Sequence, residues 1–216
     1  METKDHKAIF ISGIDTDAGK TYATAFYARK LIDSGLTVVT QKFIQTGCKN
    51  SSEDIEAHRR LLGTGMLPED ECGLTAPVIF SYPASAQLAA RLDGRDIDLN
   101  VIEGATDELL SRYDRVLIEG AGGLMVPITD TYFSIDYVDE HKLPLVLVTN
   151  GRLGSINHTI LSLEAIKARG IKLEAVIYNK FFDKDKIIAE DTQAFIRRYL
   201  ERNFPGAQYL EMSTFA

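Results

Sequence analysis

The sequence predicts an α/β fold of three layers, in which helices cover both faces of one mostly parallel sheet. Three observations carry that expectation. Apolar runs of strand length alternate with helical patterns of 10 to 17 residues, and parallel strands need crossovers of that kind, which lie over the sheet. The strand segments are apolar almost without interruption, the pattern of strands buried on both faces. Finally, 216 residues with 45% apolar and 9% aromatic side chains can fill one core, so a single domain over residues 1–216 is expected.

The elements follow in order. KAIFISG (7–13) is a strand, and the helix after it carries Ala23, Phe26, Tyr27 and Leu31 on one face until Gly35 stops it. LTVVTQKF (36–43) is a second strand, followed by a short helix over about 53–62 and by PVIF (77–80) as strand. The Gly- and Pro-rich stretch 63–77 between them is expected to be irregular. ASAQLAARL is helical, and Asp98 caps a helix with Leu99, Ile102, Ala105 and Leu109 at helical spacing. RVLIEG (115–120) and LPLVLVTN (143–150) are buried strands. Ser155 is expected to cap a helix with Ile156, Ile160, Leu163 and Ile166 inward; KLEAVIYNK (172–180) is the next strand, and a last helix spans about 184–202.

The chemistry is concentrated where strands end, since ligands of open parallel sheets bind at the carboxyl edge. The turn after the first strand, GIDTDAGKT (13–21), joins a strand to a helix start. Exposed backbone N–H groups there can cradle phosphates, with Lys20 reaching the terminal phosphates and Thr21 a Mg²⁺ ion. The expected architecture is therefore P-loop NTPase-like, in a variant form, because five residues and not four separate Gly13 from Gly19. RVLIEGAGG delivers Glu119 to the same edge, where a carboxylate can hold a metal ion. Lys42, ending the second strand, is expected beside the phosphates. Asp54 reads equally well as a helix-start cap or as a metal ligand. The helix start in NGRLGSINHT has free N–H groups at 154–157 and reads first as a simple cap.

GIDTDAGKT, KF followed by TG after the second strand, VLIEGAGG with VPITD, LGSINHT and the late Asn179 together resemble the dethiobiotin synthetase family over roughly residues 7–182. The resemblance implies an ATP-dependent ligase of biotin synthesis that uses Mg²⁺, 7,8-diaminononanoate and CO₂ or bicarbonate. It implies Thr16, Asp17, Ala18, Gly19, Lys20, Thr21 and Tyr22 in the phosphate loop, with Thr21, Asp54 and Glu119 as metal ligands. Lys42 and Thr46 would serve the carbamate, and Asn179 the adenine. A homodimer is implied, in which Gly154, Ser155 and Asn157 hold the substrate carboxylate for the neighbouring subunit. The family also clamps adenine with a Gly-x-x-Pro loop after a final strand; YLEMSTFA contains none, so weak selectivity among nucleotides is expected.

Two other readings share this fold. An amidoligase of the cobyrinate amide synthase kind would be expected to bring a glutamine-hydrolysing domain as well. A partition-type switch ATPase carries a second lysine in a Lys-Gly-Gly pattern, where this loop has Ile14, Asp15 and Thr16. The remaining composition narrows partners. Thirty-one acidic against 24 basic residues give a net charge of −7 with no basic block, so no nucleic acid partner is expected. No apolar run has the length of a membrane span, and a cytoplasmic location is expected. Cys48 and Cys72 are too few for a disulfide framework, and His6, His58, His141 and His158 lack ligand spacing.

Overall fold

The structure is a computed structural model and describes residues 7–213. Strand β1 (Ala8–Gly13) leads into helix α1 (Lys20–Asp33) and β2 (Val38–Lys42), then a two-residue strand β3 (Gln45–Thr46), α2 (Glu53–Leu62) and α3 (Pro68–Glu71). A second two-residue strand, β4 (Ile79–Phe80), precedes α4 (Ala86–Leu92), α5 (Leu99–Leu110), β5 (Arg115–Gly123) and α6 (Ser134–Glu140). The chain closes with β6 (Leu145–Asn150), α7 (Ser155–Ala168), β7 (Leu173–Asn179), α8 (Lys186–Asn203) and β8 (Gln208–Met212).

Six strands form one parallel sheet in the order β2-β5-β1-β6-β7-β8. The alternation of side chains along each strand separates two cores. Ile9, Ile11, Leu117, Val146, Val148, Ala175 and Ile177 face α1, which buries Ala23, Ala25, Tyr27 and Ala28. The intervening Phe10, Val116, Ile118, Leu145, Leu147, Val176 and Tyr178 face the helices α4 to α8. This is the expected three-layer arrangement.

Where boundaries differ, local chemistry gives the reason. PVIF contributes only Ile79–Phe80, paired with β3 in a separate two-stranded sheet. The stretch 63–77 is ordered around Asp70, whose carboxylate receives both Nε and Nη2 of buried Arg59 at 2.8 Å, the Leu67 N–H and the Thr75 hydroxyl. Helix α7 is capped by Gly154 and not by Ser155; at φ 96° the cap lies in the left-handed region that glycine enters freely. The α7 face that turns inward is Ser155, Thr159, Leu163 and Ile166, while Ile156 and Ile160 are half-buried. Helix α8 starts at Lys186, capped by Asp185. Strand β8 went unpredicted because it lies at the sheet edge and only Met212 of its five residues is fully buried. His6 and Thr214–Ala216 lie outside the described residues. Among the described residues, no helix is long and apolar enough to cross a membrane.

Candidate active site

The strand order decides which side chains meet. Because β5 lies between β1 and β2, the carboxyl ends of all three strands are neighbours, and in the β2–β5 register Lys42 pairs with Glu119. The phosphate loop leaves β1 at that edge. Asp15 folds it by accepting the Thr16 N–H at 2.7 Å, a short turn follows over Thr16–Ala18, and Gly19 at φ 93° opens α1. No side chain caps α1, so its first N–H groups and the positive end of its dipole are available to an anion.

Gly19 has a second reason to be glycine. A Cβ there would come within 2.2 Å of Asn179 Nδ2, which donates to the Ala18 carbonyl at 3.1 Å while Asn179 Oδ1 accepts the Phe181 N–H. The end of β7 is thereby tied to the phosphate loop.

Four charged side chains converge at the centre. The Lys42 ammonium, 5% exposed, lies 2.9 Å from Glu119 Oε1 and 2.5 Å from Asp54 Oδ2, and donates to the Gly120 carbonyl. The Thr21 hydroxyl stands between the same carboxylates, 2.9 Å from Asp54 Oδ1 and 3.2 Å from Glu119 Oε1. Lys20 folds back onto the carbonyls of Asp15 and Thr16, each at 3.0 Å.

Electrostatics follow from burial and this pairing. Burial, reinforced by Lys42, lowers the Lys20 pKa to about 8. Burial opposes charge on Lys42 as well, yet Glu119 and Asp54 outweigh it and its pKa lies above the ordinary lysine value. Glu119 is also deeply buried, but Lys42 and His58 hold its carboxyl far below the usual range. The result is a buried ion pair beside a lysine that is poorly neutralised.

Thr16, Asp17, Gly19, Lys20, Thr21, Tyr22, Lys42, Thr46, Asp54 and Glu119 all line one cleft of about 460 Å³. Ala18 is buried beneath it, and Asn179 lines an adjoining apolar slot of about 170 Å³ with Tyr22, Phe181, Phe182 and Met212. Gly154, Ser155 and Asn157 do not line the cleft of their own chain. The Ser155 hydroxyl is buried and donates to Asn150 Oδ1 at 2.6 Å. Asp54 is not the helix cap: Ser52 accepts the Ile55 N–H, which leaves the Asp54 carboxylate to the cleft.

Oxygen donors suit Mg²⁺, and Thr21, Asp54 and Glu119 offer them around one point. Among the described residues no group of three or more His, Cys, Asp or Glu could hold a metal by itself, so the hydroxyl and phosphate oxygens would have to complete any such site.

The sequence reading missed His58, whose Nε2 lies 2.7 Å from Glu119 Oε2. The signal was available in the spacing: His58 follows Asp54 by four residues, one helical turn on the same face. Gln45 was also missed; it lines the cleft and its side-chain carbonyl accepts the Ser52 hydroxyl.

Residues 7–206 match the AAA domain family. The ATP-dependent dethiobiotin synthetase BioD 2 of Pasteurella multocida (strain Pm70) is 48% identical over 94% of this chain and 95% of that protein. The protein of the same name from Haemophilus influenzae (strain Rd) is 50% identical over 87% of this chain and 98% of its own. The ATP-dependent dethiobiotin synthetase BioD of Chlorobaculum tepidum is 46% identical over 96% and 87%. Solved structures share the fold at low identity. A Borrelia burgdorferi B31 protein bound to AMPPNP and described as a plasmid partition protein superposes with a TM-score of 0.55 at 11% identity, over 97% of this chain and 88% of that one. The pNOB8 ParA protein gives 0.54 at 15%, over 96% and 87%. Partition proteins thus share the framework alone, whereas the sequence itself runs almost end to end with the synthetases: the chain belongs to the dethiobiotin synthetase family, an ATP-dependent ligase family built on the AAA-type P-loop domain.

Proposed function

We propose that this chain is a Mg-ATP-dependent dethiobiotin synthetase, working as a single catalytic domain on 7,8-diaminononanoate and CO₂. The observation that carries the reading is the meeting of Thr21, Lys42, Asp54 and Glu119 in the cleft beside the uncapped start of α1. In this reading one substrate amine attacks CO₂ and loses a proton to give a carbamate. A carbamate oxygen attacks the γ-phosphorus and ADP leaves. The second amine attacks the carbonyl carbon of the resulting carbamoyl phosphate, expelling phosphate and closing the ureido ring.

The chain's own residues supply position and charge, which phosphoryl transfer chiefly requires. The first N–H groups of α1, with Thr16 to Tyr22, hold the phosphates. Lys20 turns its ammonium from the loop carbonyls to the terminal phosphates. Lys42, held in place by two carboxylates, supports the charge that passes from carbamate to γ-phosphate, with Thr46 beside the carbamate. Thr21, Asp54 and Glu119 would hold Mg²⁺, which when bound neutralises phosphate charge. Asn179 and the apolar slot receive the base. The α7 start at Gly154, Ser155 and Asn157 binds the substrate carboxylate of the neighbouring protomer in a cytoplasmic homodimer, consistent with its absence from its own cleft.

Incubation with 7,8-diaminononanoate, bicarbonate and Mg-ATP tests the reading. Dethiobiotin and phosphate are expected in equal amounts, and phosphate release without dethiobiotin would reject it.

A further inference from the structure

His58 is a buried polar side chain for which the chemistry above has no use. It is fully buried, and its Nδ1 has no hydrogen-bond partner among the described residues. Its polar contact is Nε2 to Glu119 Oε2 at 2.7 Å. With a carboxylate as acceptor, Nε2 is the nitrogen that donates, while Nδ1 is left without a partner in the interior. A residue kept only to fill space would be apolar here, because an unpartnered buried nitrogen opposes folding. What His58 offers that an apolar residue lacks is one N–H aimed at Glu119.

The two oxygens of Glu119 are divided between different groups. Oε1 meets the Thr21 hydroxyl and Lys42 on the cleft side, whereas Oε2 points inward to His58. Glu119 is 1% exposed, so water does not replace a lost donor easily. Without the imidazole, Oε2 is a buried charged oxygen lacking a partner, and the carboxylate turns both oxygens toward Lys42. That rotation moves Oε1 off Thr21. Helix α2 sets the donor's position: Asp54 and His58 lie one turn apart, and the adjacent Arg59 ties the helix to Asp70 on α3 and to the Thr40 hydroxyl of β2.

We propose that His58 is a positioning residue that fixes the rotamer of Glu119, so that one carboxylate oxygen is presented to the cleft beside Thr21 and Asp54. The inference deepens the synthetase reading and rests on its assignment of Glu119 and Asp54 to the metal ion. It concerns binding rather than a proton transfer, and its consequence is that nucleotide affinity responds to Mg²⁺ through His58.

The test compares His58→Leu and His58→Gln with the unaltered protein by titrating a fluorescent ADP analogue, once with Mg²⁺ and once with EDTA. Glutamine places an N–H near the position of Nε2; leucine does not. Outer partners of metal ligands contribute about 10- to 100-fold to metal affinity, so His58→Leu should weaken binding by at least roughly tenfold with Mg²⁺ and by less than about twofold with EDTA. His58→Gln should recover most of the Mg²⁺-dependent affinity. Equal losses under both conditions would show a general collapse of the site and overturn the proposal. So would no loss in either, a glutamine variant as weak as the leucine variant, or an unaltered protein indifferent to Mg²⁺. Dethiobiotin formation is assayed separately on the unaltered protein, so failure of the synthetase reading is distinguishable from failure of this one.

Discussion

Lys42 and Glu119 are register partners on neighbouring parallel strands, and their side chains close the same pairing at 2.9 Å in the interior. Lys42 also keeps Asp54 and Glu119 also keeps His58, yet removing either member of the pair leaves a buried charge short of a buried counter-charge.

Lys42→Met is therefore expected to lose ring closure while retaining nucleotide, and also to unfold more easily. Truncating one member of a buried pair costs about 3–5 kcal/mol, and a double variant with Glu119→Gln should regain most of that stability without regaining activity. Denaturant midpoints measure the first effect; kcat measured apart from ATP affinity measures the second. An unchanged kcat in Lys42→Met would remove Lys42 from the chemistry.

Lys20→Ala and Thr21→Val should each lower turnover by at least about 100-fold, since donors to a transferring phosphoryl group typically contribute several kcal/mol at the transition state. Steady-state dethiobiotin formation checks both. Near-normal turnover in either would refute the phosphate-loop assignment.

The depressed Lys20 pKa gives a pH profile. Its folded pKa of about 8 lies below the ordinary 10.5, so the free protein loses this charge as pH rises through about 8. The parameter kcat/KM for ATP reports the free enzyme and should fall above that pH, whereas bound phosphates favour the ammonium and push the fall in kcat to higher pH. Between the two pKa values the unfolded chain binds more protons, so the stability of the free protein should rise with pH across that window on account of this group. Coincident falls in kcat and kcat/KM would contradict the assignment.

The dimer reading predicts complementation. Inactive Lys20→Ala protomers mixed with inactive protomers altered at Asn157 should form hybrids in which one site has both an intact phosphate loop and an intact partner helix start. Partial recovery of dethiobiotin formation is expected, and no recovery despite measured subunit exchange would place both features in one chain.

Much of the fold was legible because buried parallel strands are apolar along their length, so KAIFISG, RVLIEG and LPLVLVTN identified themselves. Edge strand β8 was not legible, since a strand covered on one side carries exposed residues such as Gln208 and Glu211. The order of 63–77 was hidden for a different reason: it depends on Arg59 meeting Asp70 in three dimensions, and no local propensity encodes that. The phosphate loop, Lys42 and Glu119 were visible as residues at strand ends. Sequence position left Asp54 ambiguous, and only the cap made by Ser52 frees its carboxylate. His58 was overlooked because histidine was screened for metal-ligand spacing and not for a carboxylate one strand away.

The insertion of β5 between β1 and β2 has a consequence for how the molecule comes into being. Lys20, Lys42 and Asp54 are all made before residue 63, yet the carboxylate that settles Lys42 lies 77 residues further along the chain, and 98 from Thr21. β1 and β2 share a neighbour only through β5, and the Lys42–Glu119 ion pair forms only with that pairing. Closing a loop of that length costs entropy before the contact returns anything. The strand that joins β1 to β2 therefore also carries the acid that pairs with Lys42, so closing this part of the sheet and completing its charge balance are one event.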